Sequence, residues 1–169
     1  MRVIRPEEAR DAAAVYDVNA RAFARPDEAR LVDRLRREAA PYIGLVAEDV
    51  AGVVGHIAFT PVTIVGWNAH PPALGLAPLA VAPAVQRQGV GSQLARAGLE
   101  ICRQRGFALV VVLGDPGYYG RFGFEPASDH GLRDEYHAPP GAFRVLALVE
   151  GSLAGARGTV RYHAAFAQV

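Results

Sequence analysis

Apolar side chains in the first forty residues recur every three or four positions, which is the spacing of a helix with one buried face. Residues 3–5, Val-Ile-Arg, predict a short first strand. Pro6 and the two acids after it are typical of a helix start, so we predict a helix from there to about Phe23. A second set with the same spacing follows residues 26–27 and predicts another helix.

The pattern changes at Tyr42, where β-branched and small apolar residues replace the helical spacing. Two such segments, 42–47 and 53–65, are separated by the polar and glycine-containing residues 48–52. Short β-rich segments joined by a turn predict a hairpin. Residues 67–72 then form a loop.

A strand, a helix and another strand follow in order. Residues 74–81 are almost all apolar, residues 89–105 alternate apolar positions with Gln and Arg, and residues 107–113 carry no polar side chain. This order predicts a βαβ unit with a buried second strand. Such units bind ligands at the carboxyl ends of their strands, so we expect the ligand loop at residues 82–88.

The last third of the chain holds an aromatic segment, 118–124, a polar loop, and two apolar segments, 143–149 and 159–166. Segment 159–166 is predicted to be an edge strand that pairs with another subunit or closes the protein's own sheet. The sequence therefore leaves a monomer and a homodimer open. Length and composition, without linkers or repeats, predict one domain over residues 1–169.

Charge and cysteine content exclude several classes of function. The chain has 18 basic residues, all arginine, and 17 acidic residues. With charges so nearly balanced, we expect no strong electrostatic field that would attract nucleic acid or an anionic membrane. Cys102 is alone, and the scattered histidines share no strand or helix face, so we expect neither a disulfide nor a metal site. With no signal peptide and no long apolar run, we expect a cytoplasmic protein.

Residues 86–91, Gln-Arg-Gln-Gly-Val-Gly, carry the candidate chemistry. They join a predicted strand to a predicted helix start, where free backbone N–H groups and the helix dipole attract anions. Gly89 and Gly91 permit close approach of the backbone, and Arg87 adds a charge-assisted hydrogen bond. The segment predicts phosphate binding. A dinucleotide fingerprint is excluded because Leu94 stands where its third glycine belongs, and a P-loop is excluded because the chain lacks lysine.

Two segments resemble motifs of the GNAT superfamily of N-acetyltransferases. The first is Leu-Ala-Val-Ala-Pro at 79–83 followed by the glycine-containing residues 86–94, which resembles the family's acyl-CoA motif. The second is the aromatic segment 118–124, which matches the family's tyrosine-containing segment in distance and order. The resemblance implies a mixed α/β fold in which helices flank a central, twisted, mostly antiparallel sheet. A parallel, splayed βαβ unit would hold the cofactor.

The resemblance also implies roles for individual residues. The backbone of the first strand of the unit binds the pantetheine arm, and the loop with the helix start binds the diphosphate. The implied cofactor-binding residues are Leu79, Ala80, Val81, Gln86, Arg87, Gln88, Gly89, Val90, Gly91 and Ser92. Tyr119 occupies the position of the general acid that protonates the departing CoA thiolate.

The general base is not implied by the resemblance, because the strand at 74–81 lacks the glutamate that many relatives carry there. His56, Asp115 and Glu48 are the candidates. His56 has the most suitable ordinary pKa, although a lone histidine in a strand is more often structural.

The expected function is transfer of an acetyl group from acetyl-CoA directly to a primary amine, without a covalent enzyme intermediate and without a metal. The acceptor is a small molecule or a peptide that the sequence does not identify. The missing glutamate leaves one alternative open, a non-catalytic module that binds and senses acyl-CoA.

Overall fold

Two compact units divide the chain in the computed structural model, which describes residues 1–169. The first unit comprises Met1–Thr60, Ala77–Gly98 and His163–Val169, and the second comprises Pro61–Leu76 and Leu99–Tyr162. Each unit is built from segments that are distant in sequence. That all 169 residues form one domain stays a prediction.

The first unit begins with two helices and three antiparallel strands, hydrogen-bonded in the order β1-β2-β3. Their bounds are β1 Val3–Pro6, α1 Ala12–Phe23, α2 Asp27–Glu38, β2 Ile43–Asp49 and β3 Gly52–Pro61. Val15 of α1, Val32 of α2 and Val46 of β2 are fully buried against one another. Each such side chain contributes about 1.5–3 kcal/mol by leaving water, so the apolar spacing that predicts the helices also fixes them to the sheet.

The predicted start of the first helix at Pro6 is wrong. Pro6 is the last residue of β1 and pairs with Leu45, and α1 begins at Ala12 after a short 3₁₀ turn. The Asp11 carboxylate accepts the backbone N–H of Glu8 at 2.7 Å. Because this acid caps the bend, the chain stays non-helical where proline and acids alone suggest a helix.

The predicted strand at 53–65 is two strands. β3 ends at Pro61, and β4, Thr63–Val65, pairs with a strand near the C-terminus instead. Proline has no N–H to continue a ladder, and the N–H of Val62 donates to the carbonyl of Ala73 at 3.1 Å. The apolar pattern continues through this point, but the hydrogen-bond partners change.

The second unit contains strands hydrogen-bonded in the order β5-β6-β9-β7, and a separate three-stranded sheet in the order β4-β10-β8. The further bounds are β6 Leu109–Leu113, α4 Pro116–Gly120, β7 Glu125–Pro126, β8 Leu132–Asp134, β9 Phe143–Ala147 and β10 Gly158–Arg161. β6 is buried along nearly its whole length, as its composition predicts.

Three elements have residues in both units: β3, whose last residue Pro61 belongs to the second unit, β5, Ala73–Val81, and α3, Val90–Gln104. β5 runs parallel to β6, with Ala73 opposite Leu109 and Gly75 opposite Val111. This strand, helix and parallel strand confirm the predicted βαβ unit. The other pairs of the β1-β2-β3 and β5-β6-β9-β7 series are antiparallel, so the predicted mixed, mostly antiparallel fold is confirmed.

Segment 159–166 does not form an edge strand, but its first residues pair within the protein's own sheet, which is the second of the two predicted alternatives. β10 lies between β4 and β8, and residues Ala164–Gln168 form a 3₁₀ helix. Ala165 of this helix is buried with Leu31 and Leu35 of α2. The apolar residues near the C-terminus thus make two separate contacts within the chain, one in the three-stranded sheet and one against α2. No helix is both long and apolar enough to span a membrane.

Candidate active site

The loop at residues 82–89, called the phosphate loop below, is anchored at the end of β5. The N–H of Ala82 donates to the carbonyl of Val54 in β3 at 2.8 Å. A 3₁₀ turn, Pro83–Val85, follows, and the side-chain amide of Gln86 returns to donate to the carbonyl of Val81 at 3.0 Å. These bonds fix the direction in which the chain leaves the strand.

Two residues of the phosphate loop have left-handed backbone conformations. Arg87 has φ 63° and Gly89 has φ 83°. For a residue with a side chain, this conformation costs about 1–3 kcal/mol and is concentrated at functional sites. A Cβ added at Gly89 would meet no atom within 4 Å, and the residue is exposed. The backbone there is open to a ligand.

The start of α3 follows directly. The N–H of Gln93 donates to the carbonyl of Gly89 at 3.0 Å, so the backbone N–H groups of Val90 and Gly91 come before the first intrahelical bond of this helix. Together with the positive end of the helix dipole they suit an anion. Arg87, exposed in the loop, can add its guanidinium.

Glycine contacts hold α3 close to β3 within the first unit. A Cβ at Gly55 would lie 2.9 Å from side-chain carbons of both Val90 and Leu94, and a Cβ at Gly98 would collide with the ring of Phe59. A helix seated this closely cannot shift without steric conflict. The first turn of α3 is therefore held in place before any ligand arrives.

The ten residues predicted to bind the cofactor lie on one continuous stretch of the first unit: the end of β5, the phosphate loop and the first turn of α3. Ala80 is 2% exposed, while Leu79 and Val81 are half-buried on the alternate side of the strand. Their backbone contacts to a pantetheine arm stay a prediction.

Tyr119 lies in the second unit on the short helix α4. Asp115 caps this helix, since its Oδ1 accepts the N–H of Gly117 at 3.0 Å and its carbonyl accepts the N–H of Tyr119 at 3.1 Å. The Tyr119 ring packs edge-on against Phe124, with ring centroids 5.8 Å apart. It also covers Gly114, where any Cβ would collide with it.

Burial raises the pKa of Tyr119 above its ordinary value, and the neighbouring Tyr118 adds to the effect. The phenol therefore keeps its proton at neutral pH, as a general acid must. Tyr118 packs edge-on against Tyr119 and Phe122, at centroid distances of 5.0 and 5.4 Å.

His56 is fully buried in β3 and engaged at both ring nitrogens. Its Nδ1 lies 3.1 Å from Nδ2 of Asn19, and its Nε2 lies 2.9 Å from Oε1 of Glu7. An amide nitrogen only donates, so Nδ1 accepts and Nε2 carries the proton toward Glu7. No lone pair of this ring is left to receive a proton from a substrate.

His56 belongs to a group of buried and half-buried polar side chains, called the Glu7 cluster below, whose members are Glu7, Asn19, Arg36, Tyr42 and His56. Glu7 also accepts from Nε of Arg36 at 2.7 Å and from the Tyr42 hydroxyl at 2.6 Å. Burial raises the pKa of Glu7, but the donors His56, Tyr42 and Arg36 outweigh it and hold that pKa below its ordinary value. The carboxylate is a buried anion with three donors.

The other two candidate bases differ in how the protein engages them. Glu48 accepts from the Arg5 guanidinium at 3.3 Å through both of its oxygens. Asp115 is exposed, and its Oδ1 serves as the cap of α4. Sequence reasoning did not single out Glu7, whose partner His56 lies 49 positions away.

Cys102 is completely buried, and burial raises the pKa of its thiol to about 12. The described residues contain no group of three or more His, Cys, Asp or Glu side chains placed to hold a metal ion.

Comparison with known proteins places these features in a family. Residues 3–127 match the family model of the acetyltransferase (GNAT) domain. The chain is 41% identical to the N-acetyltransferase YhbS of Escherichia coli K12 over 165 residues, 97% of this chain and 98% of the relative. It is 43% identical to the N-acetyltransferase YjhQ of the same organism over 132 residues, 76% of this chain and 73% of the relative.

Solved structures agree in fold. The crystal structure of E. coli YhbS in complex with CoA superposes with a TM-score of 0.90 at 40% identity, covering 98% of this chain and 92% of that one. A GNAT family acetyltransferase from Brucella melitensis in complex with acetyl-CoA gives a TM-score of 0.80 at 38% identity, covering 98% of each chain. The predicted family, fold class and N-acetyltransferase activity agree with these relatives. The chain with the phosphate loop and Tyr119 is thus a member of the GNAT acetyltransferase family.

Proposed function

We propose that this protein binds acetyl-CoA along residues 79–92 and transfers the acetyl group directly to a primary amine of a small molecule or a protein. The observation that supports this most is the phosphate loop. Its left-handed Arg87 and open Gly89 are followed directly by the N–H groups of Val90 and Gly91, which come before the first intrahelical bond of α3. Relatives with 40% and 38% identity bind CoA and acetyl-CoA in their crystal structures.

The proposed binding roles follow the order of the chain. The backbone of Leu79, Ala80 and Val81 bonds to the pantetheine arm, which accounts for an apolar strand lining a polar ligand. The diphosphate is received by the loop and by the helix start. The residues assigned to it are Gln86, Arg87, Gln88, Gly89, Val90, Gly91 and Ser92. Oriented N–H groups bind phosphate without any rearrangement of the helix.

The proposed reaction forms a C–N bond and breaks the C–S bond of the thioester. An aliphatic amine has a pKa near about 10.4 in water, so it must lose a proton before its nitrogen attacks the carbonyl carbon. Collapse of the tetrahedral intermediate expels the CoA thiolate, and Tyr119 donates its phenolic proton to that sulfur. A phenol keeps its proton at neutral pH even at its ordinary pKa of about 10, and burial, which raises the pKa of Tyr119, leaves it protonated.

For the base we propose Asp115 rather than His56 or Glu48. His56 has no lone pair left to accept a proton, and Glu48 is paired with Arg5. Asp115 is exposed, and the helix cap engages Oδ1, which leaves Oδ2 to take a proton from the acceptor through a water molecule. A water path from the acceptor amine to this carboxylate is part of the proposal.

The test is an assay of CoA release over a panel of amines that includes polyamines, amino sugars, amino acids and peptides. Tyr119→Phe is compared with Tyr118→Phe, a matched change on the same helix. We expect Tyr119→Phe to lower kcat by about 10²- to 10⁴-fold while the Kd for acetyl-CoA stays the same, and Tyr118→Phe to leave both unchanged. Equal rates for the two variants would contradict the acid role.

The alternative of a sensing module gives a different result in the same assay. Such a protein would bind acetyl-CoA and release no CoA with any amine. The protonated Tyr119 favours turnover, because a sensor has no use for a proton donor at the thiolate. We further propose that the protein works in the cytoplasm as a monomer or homodimer and without a nucleic-acid partner, since 18 basic residues are balanced by 17 acids.

A further inference from the structure

Arg2 precedes β1 and is brought to the phosphate loop by the register of three strands. Val3 lies opposite Glu48 in β2, and Glu48 lies opposite Val53 in β3. The next residue of β3, Val54, accepts the N–H of Ala82 at the start of the loop. One end of the first unit's sheet thus holds the N-terminus of β1 together with the phosphate loop.

The Arg2 side chain contacts the loop itself. Its Nη2 donates to Oε1 of Gln88 at 3.4 Å, across 86 positions of sequence. Its Nε is buried and has no hydrogen-bond partner, and the residue as a whole is half-buried. A guanidinium partly removed from water gains most from an anionic partner.

The neighbouring arginines show what is missing at Arg2. Arg5 binds Asp11 at 2.7 Å and Glu48 at 3.3 Å, and Arg10 binds Glu8 at 2.5 Å. The partner of Arg2 is the neutral amide of Gln88. Its charge is therefore uncompensated at the one place in the first unit where a phosphate is expected.

We propose that Arg2 binds a phosphate group of acetyl-CoA and acts with Arg87 as a second cation of the phosphate loop. Arg2 lies outside both motifs that carry the family resemblance. The inference rests on the proposed function, since it requires a CoA ligand at this loop. The planar guanidinium suits a phosphate, which it can meet with two parallel hydrogen bonds.

The experiment titrates three proteins, each tagged at the C-terminus so that the N-terminus stays native: wild type, Arg2→Gln and the control Arg10→Gln. Each is titrated by calorimetry with acetyl-CoA and with 3′-dephospho-acetyl-CoA. We expect Arg2→Gln to raise the Kd for acetyl-CoA about tenfold, as for loss of one charge-assisted hydrogen bond, and Arg10→Gln to leave it unchanged. The thermal midpoint without ligand shows that both variants are folded.

The two ligands identify the phosphate. If Arg2→Gln weakens only acetyl-CoA, the contact is to the 3′-phosphate, and if it weakens both ligands equally, the contact is to the diphosphate; both results support the proposal. If Arg2→Gln binds acetyl-CoA with the same Kd as wild type and Arg10→Gln, the proposal for Arg2 is overturned while the proposed function stands. Failure of the wild type to bind acetyl-CoA would instead overturn the proposed function.

Discussion

The phosphate loop and the Glu7 cluster are both polar regions of the first unit, but they differ in how many of their polar groups have hydrogen-bond partners within the protein. In the loop, the N–H groups at the start of α3 lie outside the helical bonding pattern, and the backbone at Gly89 faces open space. In the cluster, the Glu7 carboxylate is surrounded by three donors and both nitrogens of His56 are engaged. The unpaired N–H groups of the loop point to a ligand, whereas the paired carboxylate of Glu7 and the paired ring of His56 stabilise the fold.

The largest effect is expected in the Glu7 cluster. Glu7→Ala takes the acceptor from the buried His56 and leaves the half-buried Arg36 with Asp33 alone, and removing one partner of a buried ion pair costs about 3–5 kcal/mol. Urea unfolding measures the loss, and the Kd for acetyl-CoA of the folded variant should match wild type. Glu38→Ala, which removes an exposed partner of Arg34, should cost less than about 1 kcal/mol. Similar losses of unfolding free energy in Glu7→Ala and Glu38→Ala would show that the Glu7 cluster does not stabilise the fold more than an exposed ion pair does.

A second pair of variants tests the loop with matched glycines. Gly89 and Gly106 flank the two ends of α3 with φ of 83° and 89°, and a Cβ at either meets nothing within 4 Å. Gly89→Gln and Gly106→Gln should therefore lose similar stability. Gly89→Gln alone should weaken acetyl-CoA binding, by roughly a hundredfold, or about 2.7 kcal/mol, because its side chain stands where the phosphate approaches. Equal Kd values would refute the loop assignment.

Acid should weaken the fold through Asp11, whose pKa is lowered to about 2, first by its hydrogen bond from Arg5. A carboxyl with a lowered folded-state pKa stabilises the fold above its unfolded value of 3.8 and loses that stabilisation as the pH falls through about 2. The contribution at neutral pH is about 2 kcal/mol.

Denaturant unfolding of wild type and Asp11→Asn across pH 7 to 2 measures this contribution. The difference in unfolding free energy between them should be largest at neutral pH and should vanish near pH 2. A difference that does not depend on pH would show that the Asp11 charge is not its source.

The smallest effect on kcat is expected from His56→Leu, although this change removes one donor to Glu7 and one acceptor of Asn19 and costs about 1–3 kcal/mol of stability. The kcat of the folded variant and the acid side of its pH profile should stay as in wild type, because the ring has no free lone pair. A large fall in kcat that a change at Asp115 does not reproduce would restore His56 as the base.

The elements around the cofactor site could be predicted because their signals are local. The apolar stretch of β5, the alternation along α3 and the glycines of the loop each lie within a few residues of one another. The start of α1 was predicted wrongly because the Asp11 side chain caps the preceding bend. The break after Pro61 was missed because Val62 bonds to the distant Ala73 while the apolar pattern continues.

The polar partners could not be predicted because they meet only after folding. Glu7 reaches His56 across 49 positions and Arg2 reaches Gln88 across 86. An isolated histidine in a strand gives no sign of whether its ring is engaged. The arginine at position 2 likewise matches no motif, and its missing acidic partner becomes visible only beside the paired Arg5.

The burial of Cys102 has a practical consequence for measuring turnover. With its thiol fully buried and its pKa raised to about 12, the protein presents almost no thiolate at neutral pH, and the thiolate is the form that reacts. A chromogenic disulfide reagent added during catalysis should therefore count the sulfhydryl groups of released CoA against a nearly blank background from the folded enzyme.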